Sequence, residues 1–175
     1  MESDEFAGQY VTQAVESTVF VDGEPWGHVG LLDVDDVALG AVLDVAERLP
    51  GPVAVLSTSP QCWHLWALSI RDLDEWIDRA ARLDHLDEDH VALSERRECG
   101  VLRLDTKTAV ETGEAVKPAP RLRGVVDADA GGLLSEPHVD LLRERFDADL
   151  DVEASEWIGD RTDTRVIMAD IGGRS

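Results

Sequence analysis

Apolar residues recur along the chain with two different periods, and the switches between them outline the elements. Tyr10 to Val21 alternates apolar and polar positions and is rich in Val and Thr, the pattern of a half-buried strand. Asp22-Gly23 is a hairpin turn signal, and Trp26 to Val34 reads as the partner strand. From Val37 to Leu49 the apolar positions 38, 39, 42, 43, 45, 46 and 49 follow helical spacing, with Asp35 or Asp36 as the expected cap. Pro50-Gly51-Pro52 ends that helix. Val53 to Ser57 then reads as a strand, Ser57-Thr58-Ser59-Pro60 as a turn, and Cys62 to Ile70 as a second apolar strand.

The period returns to helical over Asp72 to Leu83, where Leu73, Trp76, Ile77 and Ala80 share one face. His85 to Glu98 is charged and reads as a short helix. Gly100 to Asp105 reads as a strand, followed by a loop carrying Gly113, Pro118 and Pro120. Val125-Val126 marks a short strand, Ser135-Glu136-Pro137 opens a helix to about Phe146, and Arg165 to Ile171 is a β-like run. Hairpins alternating with helices predict an α+β fold, a mainly antiparallel sheet with helices packed on one face. A length of 175 residues suits a single domain, with residues 1–9 a polar, frayed lead.

Composition changes this picture chiefly through charge. The formal net charge is -21, from 37 acidic against 16 basic residues. Only Lys107 and Lys117 are lysines. Such a surface repels itself in dilute buffer, and molar salt, with a Debye length of roughly 3 Å, removes most of that repulsion. Adaptation to a high-salt cytoplasm therefore accounts for the acidity, ahead of an acidic decoy that mimics DNA. Two cysteines are too few for a disulfide framework, and no CxxC or His/Cys pairing has zinc-ligand spacing. No apolar run has the length of a membrane span, so the expectation is a cytoplasmic protein that meets no membrane.

The polar residues at strand ends carry the candidate chemistry. Asp33 and Asp35 lie two apart on a predicted strand and so share a face, where two carboxylates can hold Mg2+ or Mn2+. His64, inside Cys-Trp-His-Leu-Trp, can offer an imidazole to a phosphate oxygen, and hydroxyls of Ser57, Thr58 or Ser59 can add hydrogen bonds. Arg103 and Asp105 alternate on the next predicted strand, with Lys107 just beyond. Trp63 and Trp66 are candidate stacking surfaces for single-stranded nucleic acid.

The order Asp-x-Asp, helix, strand, small-polar turn, x-His in an apolar strand, helix, Leu-Arg-Leu-Asp resembles the catalytic core of archaeo-eukaryotic primases. Asp33 and Asp35 match that family's metal-binding pair. Cys62-Trp63-His64 is similar to its Ser-x-His, with Cys62 in the serine's place. Leu104-Asp105 is the candidate third motif. The resemblance covers about residues 10–110 and implies an RRM-like core, with 111–175 as a C-terminal extension completing the sheet. It further implies a reduced, haloarchaeal-type primase-polymerase that acts in DNA replication. In such a protein Asp33, Asp35 and Asp105 bind divalent metal and carry catalysis, while Ser59, His64, Arg103 and Lys107 bind nucleotide. Two other readings stand beside it. One is an inactive primase-like accessory that binds nucleic acid or a replication partner. The other is an acidic interaction protein with no site, which predicts that Asp33, His64 and Asp105 lie apart.

Overall fold

The computed structural model describes residues 10–146, 150–154, 156–157 and 161–171. The opening nine residues, read above as a frayed lead, lie outside them. The chain begins with β1 (Tyr10–Glu16), β2 (Thr18–Val21) and β3 (Glu24–Val34), followed by α1 (Leu39–Glu47). A hairpin of β4 (Val53–Ser59) and β5 (Cys62–Arg71) leads to α2 (Leu73–Ala81) and α3 (Glu88–Arg97). Then come β6 (Val101–Arg103), β7 (Lys107–Ala109), β8 (Ala115–Lys117), β9 (Arg121–Val126) and β10 (Leu133–Leu134). Helix α4 (Glu136–Arg145) precedes β11 (Glu156–Trp157), β12 (Thr162–Asp163) and β13 (Val166–Ile171).

The fold is α+β, built on two sheets. The larger runs β11-β10-β5-β3-β2-β12, with β4 also on β5 and β9 on β4; the smaller runs β13-β1-β7-β8, with β6 also on β1. Pairing is antiparallel except between β10 and β11. Tyr10 to Val21, expected as one strand, is broken at Ser17. There the backbone N–H donates to Gly100 and the carbonyl accepts from Val29, so this residue joins the two sheets.

Helices lie on both faces of the larger sheet, not on one as the alternation of hairpins and helices suggests. Leu32, Val34, Val53, Val55, Trp63, Leu65 and Ala67 pack with Val42, Val45 and Ala46 of α1 and with Trp76 and Ala80 of α2. The opposite side chains, among them Val29, Leu31, Ala54, Leu56, Trp66 and Leu68, pack with Val15, Leu102 and Leu104 of the smaller sheet and with Val139 and Leu142 of α4. The hidden variable was α4. Its strand-like neighbours gave no hint of the side on which it docks.

Several local expectations shift for identifiable reasons. The cap of α1 is Ala38, with no side-chain hydrogen bond, because the chain turns at Asp36 in the left-handed region (φ 58°) before the helix begins. Ser57 to Ser59 is strand, paired out to Cys62, and the turn is Pro60-Gln61 with Gln61 at φ 62°. The stretch expected as a loop after Asp105 contains the β7–β8 hairpin, its turn made at Gly113 (φ 70°).

Two side chains show how closely the layers fit. Trp76 of α2 lies against Gly30 of β3, and its indole N–H donates to the His28 carbonyl at 2.9 Å. A Cβ at Gly30 would stand 2.7 Å from Trp76 Cε3, inside contact distance. Gly30→Ala is therefore expected to destabilise the fold by about 1–3 kcal/mol, read by urea unfolding.

On the other face His138, fully buried, is held between Ser135 Oγ at 2.6 Å and the Glu16 carbonyl at 2.8 Å. Trp66 meets its ring edge-on, centroids 6.2 Å apart. Burial pushes the His138 pKa from 6.5 down to about 4, against the opposing pull of the Glu16 carbonyl. The unfolded chain takes up this proton first, so the contribution is complete above pH 6.5 and is lost as pH falls toward 4. Its size is roughly 3 kcal/mol. Unfolding free energies from pH 7 to 4 should fall more steeply for the wild type than for His138→Gln.

Candidate functional site

The site forms where β3 and β5 end side by side. Their register sets Asp33 directly opposite His64 and Val34 opposite Trp63. Alternation then places Asp33 and His64 on the side of Leu31, Trp66 and Leu68, facing the smaller sheet. Trp63 and Leu65 face the helices.

The free edge of β3 at this end is taken up by the segment between α2 and α3. Asp35 N–H donates to the His85 carbonyl, Asp87 N–H donates to the Asp33 carbonyl, and Val34 bridges to Leu86. This short annexed strand brings a third carboxylate. Oxygens of Asp33, Asp35 and Asp87, all half-buried, lie within 4.8 Å of one another. Asp87 also caps α3, accepting from the amides of Asp89 at 2.9 Å and His90 at 3.3 Å.

Three carboxylates so close repel one another unless a cation or a proton intervenes. Asp33 carries the strain: its pKa rises from 3.8 to about 7. Burial is the main cause, and Asp35 and Asp87 push the same way, while Lys117 and Arg103 pull it down. Oxygen donors grouped in this manner could hold a metal ion.

His64 stands beside them, 6% exposed. Its Nε2 lies 3.8 Å from Asp33 Oδ1, beyond hydrogen-bond reach, and its buried Nδ1 has no partner among the described residues. An imidazole so placed lacks the bonds that buried polar groups ordinarily make. Burial, and then the nearby Arg103, His90 and Lys117, hold its pKa well below the ordinary value, so the ring is neutral.

The remaining expected residues divide. Arg103 is buried and close enough to Asp33 and His64 to perturb both; its Nη1 donates to the carbonyls of Asp105 at 2.8 Å and Pro118. Lys107 is buried under the same hairpin, its Nζ 4.5 Å from the centre of the Tyr10 ring. Asp105, expected as the third metal carboxylate, is not in the cluster. Its side chain is exposed and accepts from the Thr106 amide at 2.7 Å. Ser59 closes the β4–β5 hairpin opposite Cys62, and neither joins the carboxylates. Trp63 and Trp66 are 7% and 0% exposed, so neither presents a face to a nucleic-acid base.

Asp87 and Lys117 were not singled out by pattern. Asp87 has a sequence signal, an acidic residue just ahead of a helix. Nothing in the sequence says that its loop joins the edge of β3.

No protein-family model, no curated protein and no solved structure matches this chain. Among the described residues, no helix is long and apolar enough to cross a membrane.

Asp87→Asn preserves the cap and removes one of three like charges. In metal-free buffer this variant is expected to be more stable than the wild type by up to about 1 kcal/mol. With millimolar Mn2+ the order should reverse, which paired thermal melts would show.

Proposed function

We propose that this protein is a divalent-metal-dependent, primase-polymerase-like nucleotidyltransferase that acts on nucleotides and single-stranded nucleic acid in DNA replication. The observation that carries the reading is the meeting of Asp33, Asp35 and Asp87 within 4.8 Å, with the unpartnered His64 directly across from Asp33. Carboxylates from a strand end and a helix cap would hold Mg2+ or Mn2+. When bound, the ion supplies Lewis-acid stabilisation of a transferring phosphoryl group. His64 is rigidly held by the β3–β5 pair and would donate a hydrogen bond to a phosphate oxygen. Arg103 and Lys107 would offset the charge that develops there. The assignment to the primase superfamily, with an RRM-like core, rests on the motif resemblance.

A second reading, a catalytically inactive primase-like accessory, draws on one observation. Asp105, the third carboxylate of the resembled pattern, points to solvent and caps its own turn.

The deciding assay is Mn2+-dependent incorporation of labelled nucleotide on single-stranded DNA in molar KCl. The wild type is expected to incorporate, and Asp33→Asn and Asp35→Asn each to lose at least about a hundredfold. Absence of incorporation by folded, Mn2+-binding wild type would select the accessory. Equal activity in all three proteins would discard the metal site.

A further inference from the structure

From Ala115 to Val126 the chain carries three basic residues and no acidic one, although 37 of its 175 residues are acidic. The other acid-free stretch of such length, Arg48 to Arg71, contains the largely buried β4–β5 hairpin, where packing excludes charge. Packing does not explain the first case. Arg121, Arg123 and Gly124 of β9 are all exposed. Acid returns at once on either side, at the exposed Glu114 and Asp127. Among the described residues neither arginine makes an ion pair or a hydrogen bond, so they do not serve to neutralise acidic neighbours.

The register sets this edge in line with the candidate site. Across the larger sheet Asp33 stands opposite His64, His64 opposite Leu56, and Leu56 opposite Leu122. In the next row Val34, Trp63, Ser57 and Arg121 follow one another. Arg121 thus lies on the same margin of the sheet as the carboxylates, three strands away, about 14 Å at ordinary strand spacing. The chain leading into β9 also starts at the site: Arg103 binds the Pro118 carbonyl, and Lys117 is close enough to act on Asp33. Arg123 is the extra residue of a bulge between Leu122 and Gly124, and a Cβ at Gly124 would meet nothing within 4 Å. Among the described residues β9 pairs with β4 alone, which leaves its other edge open.

We propose that β9 is a backbone track for single-stranded nucleic acid, in which Arg121 and Arg123 hold phosphodiesters of a strand that runs along this margin to the Asp33–His64 site. Where the strand leads rests on the nucleotide-handling reading above; the track itself rests on the acid-free, exposed edge. Exposed arginines on flexible stems take phosphodiesters without regard to sequence. The stretch from Ala115 to Val126 has no aromatic residue, so the contact is to the backbone and not to stacked bases. One narrow line of cations fits one backbone. A duplex would bring its second backbone to a surface that is acidic elsewhere.

The test is fluorescence anisotropy of the full chain with labelled dT20, with and without millimolar Mn2+, over a range of KCl in which thermal melts show the protein folded. Wild type is expected to bind with an affinity that falls as salt rises. Arg121→Gln and Arg123→Gln should each weaken binding at least about threefold and flatten the slope of log affinity against log salt by about 0.7. Gly124→Glu sets an acid in open space and should weaken binding about tenfold, whereas Gly124→Gln should bind as wild type does. Neither change at Gly124 displaces an atom, so this pair decides even where an arginine variant unfolds.

Absence of dT20 binding to folded wild type would overturn the proposal, as would affinity and slope unchanged in the arginine variants. Competition by polyglutamate as effective as that by unlabelled dT20 would assign the edge to acidic peptides, and tighter binding of a duplex through the same arginines would assign it to duplex; either result overturns the track. The incorporation assay fails separately. Binding of dT20 through β9 without incorporation would remove the catalytic reading and leave the track standing. Incorporation by arginine variants that bind dT20 as wild type does would remove the track and leave the catalytic reading.

Discussion

The antiparallel register between β3 and β5 is the constraint on which the rest of the molecule depends. Strand side chains alternate, so this one alignment decides what each layer receives. Trp63, Leu65 and Ala67 go to the helices, and His64, Trp66 and Leu68 go to the smaller sheet. A slip of one residue would send His64 into the helix-facing core and turn the tryptophans about. Both faces being apolar, the register is protected from either side. Trp63 adds a further lock, donating its indole N–H to the Val37 carbonyl at 2.9 Å and so fastening β5 to the entrance of α1. The Asp33–His64 juxtaposition is thus a by-product of core packing, held by residues that have no part in it chemically.

Much of the frame was legible because it is local. Periodicity located β3, β4, β5, α1, α2 and α4 within a few residues, and Asp33, Asp35 and His64 fell where two adjacent strand ends would put them. What escaped the sequence was what distant segments do to one another. Asp87 reaches the cluster only because residues 85–87 pair with the end of β3, an edge that becomes free where β2 stops. Asp105 was expected beside Asp33 because the resemblance makes Leu104-Asp105 the third motif, but β6 ends at Arg103 and the Asp105 side chain is exposed. The primase resemblance lives on the short motifs alone.

Charge organises the surface and the site in opposite ways. Over most of the chain acidic residues dominate and face water, where salt screens them. At the ends of β3 and β5 three half-buried carboxylates gather, with Arg103 and Lys117 close enough to act on Asp33, and screening there is weak. Here pKa values move, the carboxylate of Asp33 toward neutrality and the imidazole of His64 toward permanent neutrality. The sequence-wide excess of acid hides this local balance, because a count of charges carries no information on depth.

Asp87 is shared between two structures. One of its oxygens caps the start of α3, and the same carboxylate crowds Asp33 and Asp35. Helix α3 in turn carries His90, whose Nε2 lies 3.0 Å from the Leu31 carbonyl of β3. The first turn of α3 is therefore a mechanical link in a closed loop that leaves β3 at Asp33 and returns to it at Leu31. Whatever draws the Asp87 carboxylate toward its acidic neighbours slackens the helix start, and whatever tightens the helix start withdraws a ligand. Electrostatics at the strand end and the winding of the first turn of α3 are, in this molecule, one variable.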